Sequence, residues 1–237
     1  MIIGNGLVAA GFSPYAGREE FLIFASGVSD SKHCSAVDFE RERNLLTGAL
    51  EENPGKRFVY FGTASVADPD LRETPYIRHK IAMEELVRTH AAAFHIFRVS
   101  NLAGVSANPN TVLNFLYAHI SQGRPFELWT HSERNIIDLA DVFQIADHIL
   151  RKNLFANRTI AIANEKNYAV RYIVKCIEAF TGRTAIYTER AKGSAFQIDI
   201  SDIQPICRSL GIRFGEDYLP HLLEKYYAGK KKNHPAK

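Results

Sequence analysis

The strongest constraint on the fold is a rhythm: short apolar runs alternate with amphipathic stretches, and the first of them ends in a glycine turn. Met1-Ile2-Ile3 runs into Gly4-Asn5-Gly6, and a modest helix is expected from Leu7 to Tyr15. Phe21 to Phe24 is apolar at every position, as a strand buried on both faces requires. Residues 36–52 read as a helix that Asn53-Pro54-Gly55 breaks. Arg57 to Phe61 is the next strand, Tyr76 to His90 a long helix after Pro75, and Phe94 to Val99 another strand. Such alternation predicts a mostly parallel sheet covered by helices.

After residue 100 the rhythm loosens. Helices are expected over Thr111 to Gln122, Asp141 to Leu150 and Ala169 to Phe180, and two more from Ser201 and Glu216. Short strands are expected at Phe126 to Trp129, Asn135 to Leu139, Thr159 to Ala163 and Ile186-Tyr187. Residues 1–228 read as one domain, with a substrate-side cap built mainly from 100–130 and 165–228, and 229–237 as a flexible basic tail.

Gly4-Asn5-Gly6-Leu7-Val8-Ala9 has the form G-x-G-x-x-A between a strand and a helix. In that context the first glycine permits the tight turn and the second lets a pyrophosphate reach the backbone. The alanine allows close helix–strand packing, and the helix N-terminus offers N–H donors to the anion. The same glycines also suit a purely structural strand–helix turn. A complete dinucleotide fold carries an acidic residue at the tip of the second strand, to hold the adenosine ribose. Here that tip reads Ala25-Ser26-Gly27-Val28-Ser29, and Asp30 lies further into the loop.

Charge narrows the function classes. The chain of 237 residues carries 29 basic and 26 acidic side chains, but four of the lysines fall in the last eight positions. A near-neutral body argues against nucleic-acid binding, which needs a basic stripe. Three scattered cysteines exclude a disulfide framework or a paired-thiolate zinc site, and no histidine pair has metal-ligand spacing. No apolar run approaches the roughly 18 residues of a membrane span and no signal peptide is evident, so a cytoplasmic location is expected.

Tyr76-Ile77-Arg78-His79-Lys80 is a Y-x-x-x-K, which puts Tyr76 and Lys80 on one helix face. A nearby ammonium lowers a phenol's pKa from about 10 toward neutrality and makes it usable as an acid or base. Tyr226/Lys230 and Tyr227/Lys231 share the spacing, but only Tyr76 follows a strand ending at Gly62-Thr63-Ala64-Ser65. A hydroxyl there points to the crevice where parallel sheets bind ligands.

The glycine turn, FASGVSDS, YFGTASV, YIRHK, FRVSNLAG and ERNIIDLADV occur in the order seen in the extended short-chain dehydrogenase/reductase family. The chain resembles its NAD-dependent nucleotide-sugar epimerase/dehydratase branch over residues 1–150, and more loosely to 225. The resemblance implies a Rossmann-like, doubly wound α/β fold. It also implies NAD or NADP as cofactor, a nucleotide-sugar substrate, and a role in polysaccharide biosynthesis. By position, Thr63, Tyr76 and Lys80 match the catalytic set. Gly4, Asn5, Gly6, Leu7, Ala25, Ser26 and Gly27 match the cofactor cleft, and Asn101 and Arg134 the substrate-phosphate side. Asp141 matches an acidic residue that orders a helix start. A homodimer through the two helices bordering the central strands is the family's habit.

The chain departs from that pattern. Only about 16 residues separate Ala9 from Ser26, where the family inserts two further strands with their helices. FLIFASGV therefore corresponds to the family's fourth strand, strands two and three are absent, and the first strand becomes a sheet edge. Either dinucleotide affinity falls, another subunit completes the site, or cofactor binding has been lost. The reading from sequence is thus an NAD(P)-dependent epimerase, reductase or dehydratase of a nucleotide-linked sugar; the alternative is a non-catalytic nucleotide-sugar or dinucleotide-binding relative. Bland readings stand beside the sharp ones. Thr63 could satisfy a strand end, Asn101 could cap or close a turn, Arg98 could be a surface ion-pair residue, and Arg134 could be a solvated loop charge. His79, on another helix face from Tyr76, is expected at the surface.

Overall fold

Strands that are apolar at every position must be covered on both faces, and the structure covers them. The computed structural model describes residues 1–29 and 34–231. Its first half runs β1 (Ile2–Ile3), α1 (Leu7–Gly11), β2 (Phe21–Phe24), α2 (Ala36–Glu52), β3 (Arg57–Thr63), α3 (Pro75–His90), β4 (Phe94–Val99) and β5 (Asn101–Ala103). The second half runs α4 (Val112–Gln122), β6 (Phe126–Trp129), β7 (Glu133–Asp138), α5 (Leu139–Arg151), β8 (Arg158–Ile162), β9 (Asn167–Ala169), α6 (Val170–Thr181), β10 (Tyr187–Arg190), α7 (Gln204–Leu210) and α8 (Tyr218–Lys231).

Five parallel strands form the central sheet in the order β1-β2-β3-β4-β8, with β1 at the edge. Side chains alternate between its faces. Phe21, Ile23, Val59, Phe61 and Phe97 point to one face and pack with Val142, Ile145 and Ile149 of α5. Leu22, Phe24, Phe58, Tyr60 and Ile96 point to the other and pack with Leu46 of α2 and Met83 and Val87 of α3. Each such fully buried side chain contributes roughly 2 kcal/mol. The cap has its own core of Leu116, Ile120, Leu128, Ile173, Ile177, Leu222 and Leu223. It carries two small sheets, β5-β7-β9 and β6-β10.

Local sequence explains the helix that matters most. Thr74 accepts the Ile77 N–H on its side chain, and Pro75 occupies the first turn, where its missing N–H costs nothing. Helix α3 therefore starts one residue before Tyr76. Helix α2 opens with a capping box between Ser35 and Asp38.

Several expectations are corrected. The first helix stops at Gly11, and Ser13–Tyr15 is a separate 3-10 turn with Pro14 inside it. The cap of α5 is Asp138, which accepts the Ala140 N–H, whereas Asp141 accepts the Tyr218 hydroxyl at 2.6 Å. The three-residue strands β5 and β9 were not expected, and the last two helices start at Gln204 and Tyr218. Of the expected tail 229–237, the chain is helical to Lys231 and the rest lies outside the described residues, as does Asp30. No helix among the described residues is long and apolar enough to cross a membrane.

Candidate functional site

The C-terminal tips of β1, β2 and β3 collect most of the residues singled out from sequence. Gly4 has φ +128°, a backbone conformation that L side chains rarely adopt, and a Cβ there would run into the Ala25 carbonyl. The Ala25 N–H donates to the Ile3 carbonyl at 2.8 Å, so the glycine turn and the Ala25–Gly27 loop lie against each other. Asn5 and Gly6 are exposed, and a Cβ on Gly6 would meet nothing within 4 Å. Leu7 instead turns to the cap and packs on Gly104. Ser26 accepts hydrogen bonds from the Arg41 guanidinium at its hydroxyl and its carbonyl.

Gly27 leads to Lys80. A Cβ on Gly27 would sit 2.5 Å from Lys80 Nζ, so the loop lies directly against the lysine head. Lys80 is buried and donates to Glu42 Oε1 at 3.0 Å and Oε2 at 3.3 Å. Glu42 is wholly buried and also accepts the Tyr60 hydroxyl at 2.8 Å, the Val28 N–H at 2.6 Å and His79 Nε2 at 3.0 Å. Burial pushes the Glu42 carboxyl up, but His79, the Lys80 charge, Val28 and Tyr60 outweigh it and hold it at about 2. Burial first, and then Glu42, push the Tyr60 phenol far above its ordinary value, so it stays a donor.

Tyr76 is buried one turn before Lys80, packed with Val28 and Ile77 and flanked by Cys34, Phe39 and Val66. Thr63 ends β3, buried, and its Oγ1 accepts the Ser65 N–H at 3.1 Å. That is the strand-end role, and it leaves the hydroxyl proton as the group Thr63 can donate.

Asn101 and Arg134 lie on the neighbouring strands β5 and β7. The Asn101 amide donates to the Asn135 carbonyl at 2.8 Å, and Arg134 donates to the Glu133 carbonyl at 2.7 Å. Burial lowers the Arg134 pKa, and Asp68 and Asp70, on the segment between β3 and α3, oppose it. A cleft of about 350 Å³ beside α7 shares no lining residue with this site.

Glu42 and His79 were missed from sequence. His79 is buried, stacks on Phe39 at 4.4 Å and shares the Glu42 carboxylate with Lys80, because Glu42 lies between two consecutive helix positions. The signal was available. Glu42 lies four residues before Leu46 on the apolar stripe of α2, where an acid needs a buried partner. Arg98 is an ion-pair residue as read from the sequence, but its partner is the buried Glu84 of α3 rather than a surface acid.

The family model described as the NAD dependent epimerase/dehydratase family matches residues 25–163, more than half of the chain. The chain belongs to that family. Among curated proteins no match was found. Solved structures share this family's fold at low identity. A dTDP-glucose 4,6-dehydratase from Bacillus anthracis, in complex with NAD, has a TM-score of 0.69 at 14% identity, over 90% of this chain and 74% of that one. A UDP-glucuronic acid 4-epimerase from Bacillus cereus, in complex with UDP-glucuronic acid and NAD, has a TM-score of 0.68 at 17% identity, over 86% and 76%. RMD from Pseudomonas aeruginosa, complexed with NADPH, has a TM-score of 0.68 at 14% identity, over 89% and 82%.

Proposed function

We propose that this member of the epimerase/dehydratase family is an NAD(P)-dependent epimerase, reductase or dehydratase acting on a nucleotide-linked sugar. The observation that carries the reading is Tyr76 and Lys80 on the buried face of α3, with Lys80 directly beneath the Gly27 loop at the tip of β2. In a parallel sheet, that edge is where ligands bind.

The residues fit one half of a dinucleotide. The open turn at Asn5 and Gly6, at the start of α1, would hold the pyrophosphate; Ala25, Ser26 and Gly27 would flank it, and Lys80 would reach the nicotinamide ribose. Among the described residues, no acid stands at the tip of β2 for the adenosine ribose, and no strand lies beyond β1. When bound, the nicotinamide accepts and returns a hydride. Tyr76 would take the proton of a sugar hydroxyl as the hydride leaves the same carbon, Lys80 would stabilise the phenolate, and Thr63 would donate to the reacting oxygen. Arg134 and Asn101 would face the substrate phosphates, and the cap the sugar.

The partner surface and location follow the same reading. Val37, Leu45 and Ile81 are exposed apolar residues on α2 and α3, the face proposed for a homodimer in the cytoplasm. A second reading, a relative that binds a nucleotide sugar or dinucleotide without turnover, is favoured by β1 standing at the sheet edge.

The test is Tyr76→Phe. The account expects conversion of nucleotide sugars to fall at least about 100-fold while cofactor binding is kept. If the native chain binds cofactor yet converts no sugar nucleotide, the second reading replaces the first.

A further inference from the structure

Asn5 is the one asparagine of this chain that a glycine follows. The pairing matters chemically, because asparagine is among the thermolabile residues. Its side-chain amide is open to attack by the backbone nitrogen of the next residue, and the attack is fastest where that residue has no Cβ to crowd the ring that forms. Asn53 and Asn108 precede prolines, which have no N–H to give up. Asn44 and Asn114 lie inside α2 and α4, where helical bonds hold the following N–H. Asn135 and Asn164 are buried and bound to each other.

The structure leaves Asn5 open to this reaction. Asn5 and Gly6 are exposed, and a Cβ on Gly6 would meet nothing within 4 Å, so a ring closing here has room. Gly6 precedes α1 with φ −81° and ψ −169°, an extended conformation, and its N–H stands outside the helical ladder. Among the described residues no hydrogen bond engages the Asn5 side chain or the Gly6 N–H.

We propose that Asn5 is a site of spontaneous deamidation, and that the acid formed there weakens the hold of the glycine turn on a dinucleotide. Water or hydroxide takes the Gly6 N–H proton, the nitrogen bonds to Asn5 Cγ, and the Cγ–Nδ2 bond breaks as ammonia leaves. The resulting succinimide adds one water. Opening at one carbonyl gives aspartate in a normal backbone; opening at the other gives isoaspartate, with the chain running through the former side chain. One water is consumed, one ammonia is released, and nothing is oxidised or reduced. Either product puts a carboxylate where the proposed function seats a pyrophosphate, so the second half of the inference rests on that reading. Like charges at close range repel. Isoaspartate also lengthens the backbone next to Gly4, whose left-handed conformation lies against the Ala25 carbonyl.

The test is mass spectrometry of the native protein held in mildly alkaline buffer. Trypsin releases residues 1–18, in which Asn5 is the only side-chain amide, so a gain of acid in that peptide reports Asn5 alone. The two products are separated by chromatography, and isoaspartate is marked with a protein isoaspartate methyltransferase. Both are expected, at a rate no more than about thirtyfold below that of the same peptide free in solution, the factor that ordering one residue's backbone imposes. An Asn5 that keeps its amide beyond that limit while the free peptide converts overturns the proposal. For the second half, Asn5→Asp stands in for the normal-backbone product, and its affinity for NAD or NADP is expected to fall at least about fivefold. Equal affinity overturns that half. A native chain that binds neither dinucleotide overturns the proposed function and that half with it, while the deamidation is read from mass and stands or falls separately.

Discussion

Arg98 grips Glu84 through two hydrogen bonds, Nε to Oε1 at 2.9 Å and Nη2 to Oε2 at 2.7 Å. The pair ties β4 to α3 one turn beyond Lys80. Glu84 is wholly buried and takes a further bond from Arg88 at 2.8 Å. Removing one partner of such a pair strands a buried charge. Arg98→Met is expected to lower stability by about 3 kcal/mol, at the low end for buried pairs because Arg88 remains. Urea unfolding of the variant measures it, and a loss under about 1 kcal/mol would show the pair to be dispensable.

Glu42 makes the protein acid-sensitive in a defined window. Its carboxyl lies at about 2 in the folded chain against an ordinary 4.5. A depressed folded-state value gives stability that is fully present above the ordinary value and is lost as pH falls toward the depressed one. The contribution at neutral pH is roughly 3 kcal/mol. Between about pH 5 and pH 2 native stability should therefore fall more steeply than that of Glu42→Gln. Parallel curves for the two proteins would remove Glu42 from the account of acid unfolding.

Much of this architecture is legible in the residues. Apolar runs such as Phe21 to Phe24 mark buried parallel strands, and Asn53-Pro54-Gly55 marks the end of α2, because strand burial and helix breaking are local chemistry. The edge position of β1 followed from the short interval between Ala9 and Ser26. Three-residue strands were not legible: Asn101–Ala103 is a strand because β7 lies beside it. The site was half legible. The i,i+4 spacing exposed Tyr76 and Lys80, but the partner of Lys80 comes from 38 residues upstream. His79 looked like a surface residue because one helix alone does not show that α2 covers its other flank.

The C-terminal helix should be held by polar bonds as well as by its leucines. Tyr218 donates to Asp141 at 2.6 Å and accepts the Asp138 N–H at 2.8 Å, and Asp138 also receives Lys225 at 2.6 Å. Tyr218→Phe removes two of these bonds and leaves buried groups unmatched, so a loss of about 2 kcal/mol is expected from thermal or urea unfolding. An unchanged midpoint would mean that apolar packing alone docks α8.

The two glycines of the first turn should part company. Gly4→Ala forces a left-handed backbone position and a collision with Ala25, so it should destabilise the fold measurably. Gly6→Ala meets nothing within 4 Å, and its melting temperature should stay close to native. If a pyrophosphate approaches this backbone, the same change should weaken dinucleotide binding at least about tenfold. Equal effects of both substitutions on melting would contradict this division of roles.

The most direct measurement is cofactor binding. Purified protein is denatured and the released small molecules are assayed for NAD(P)(H), and the apoprotein is then titrated calorimetrically with NAD and NADP. The account predicts binding of one of the two, weakened by Gly6→Ala at an unchanged melting temperature. No binding of either up to millimolar concentration would contradict the oxidoreductase reading, and would leave the glycine turn as a structural feature of the sheet edge.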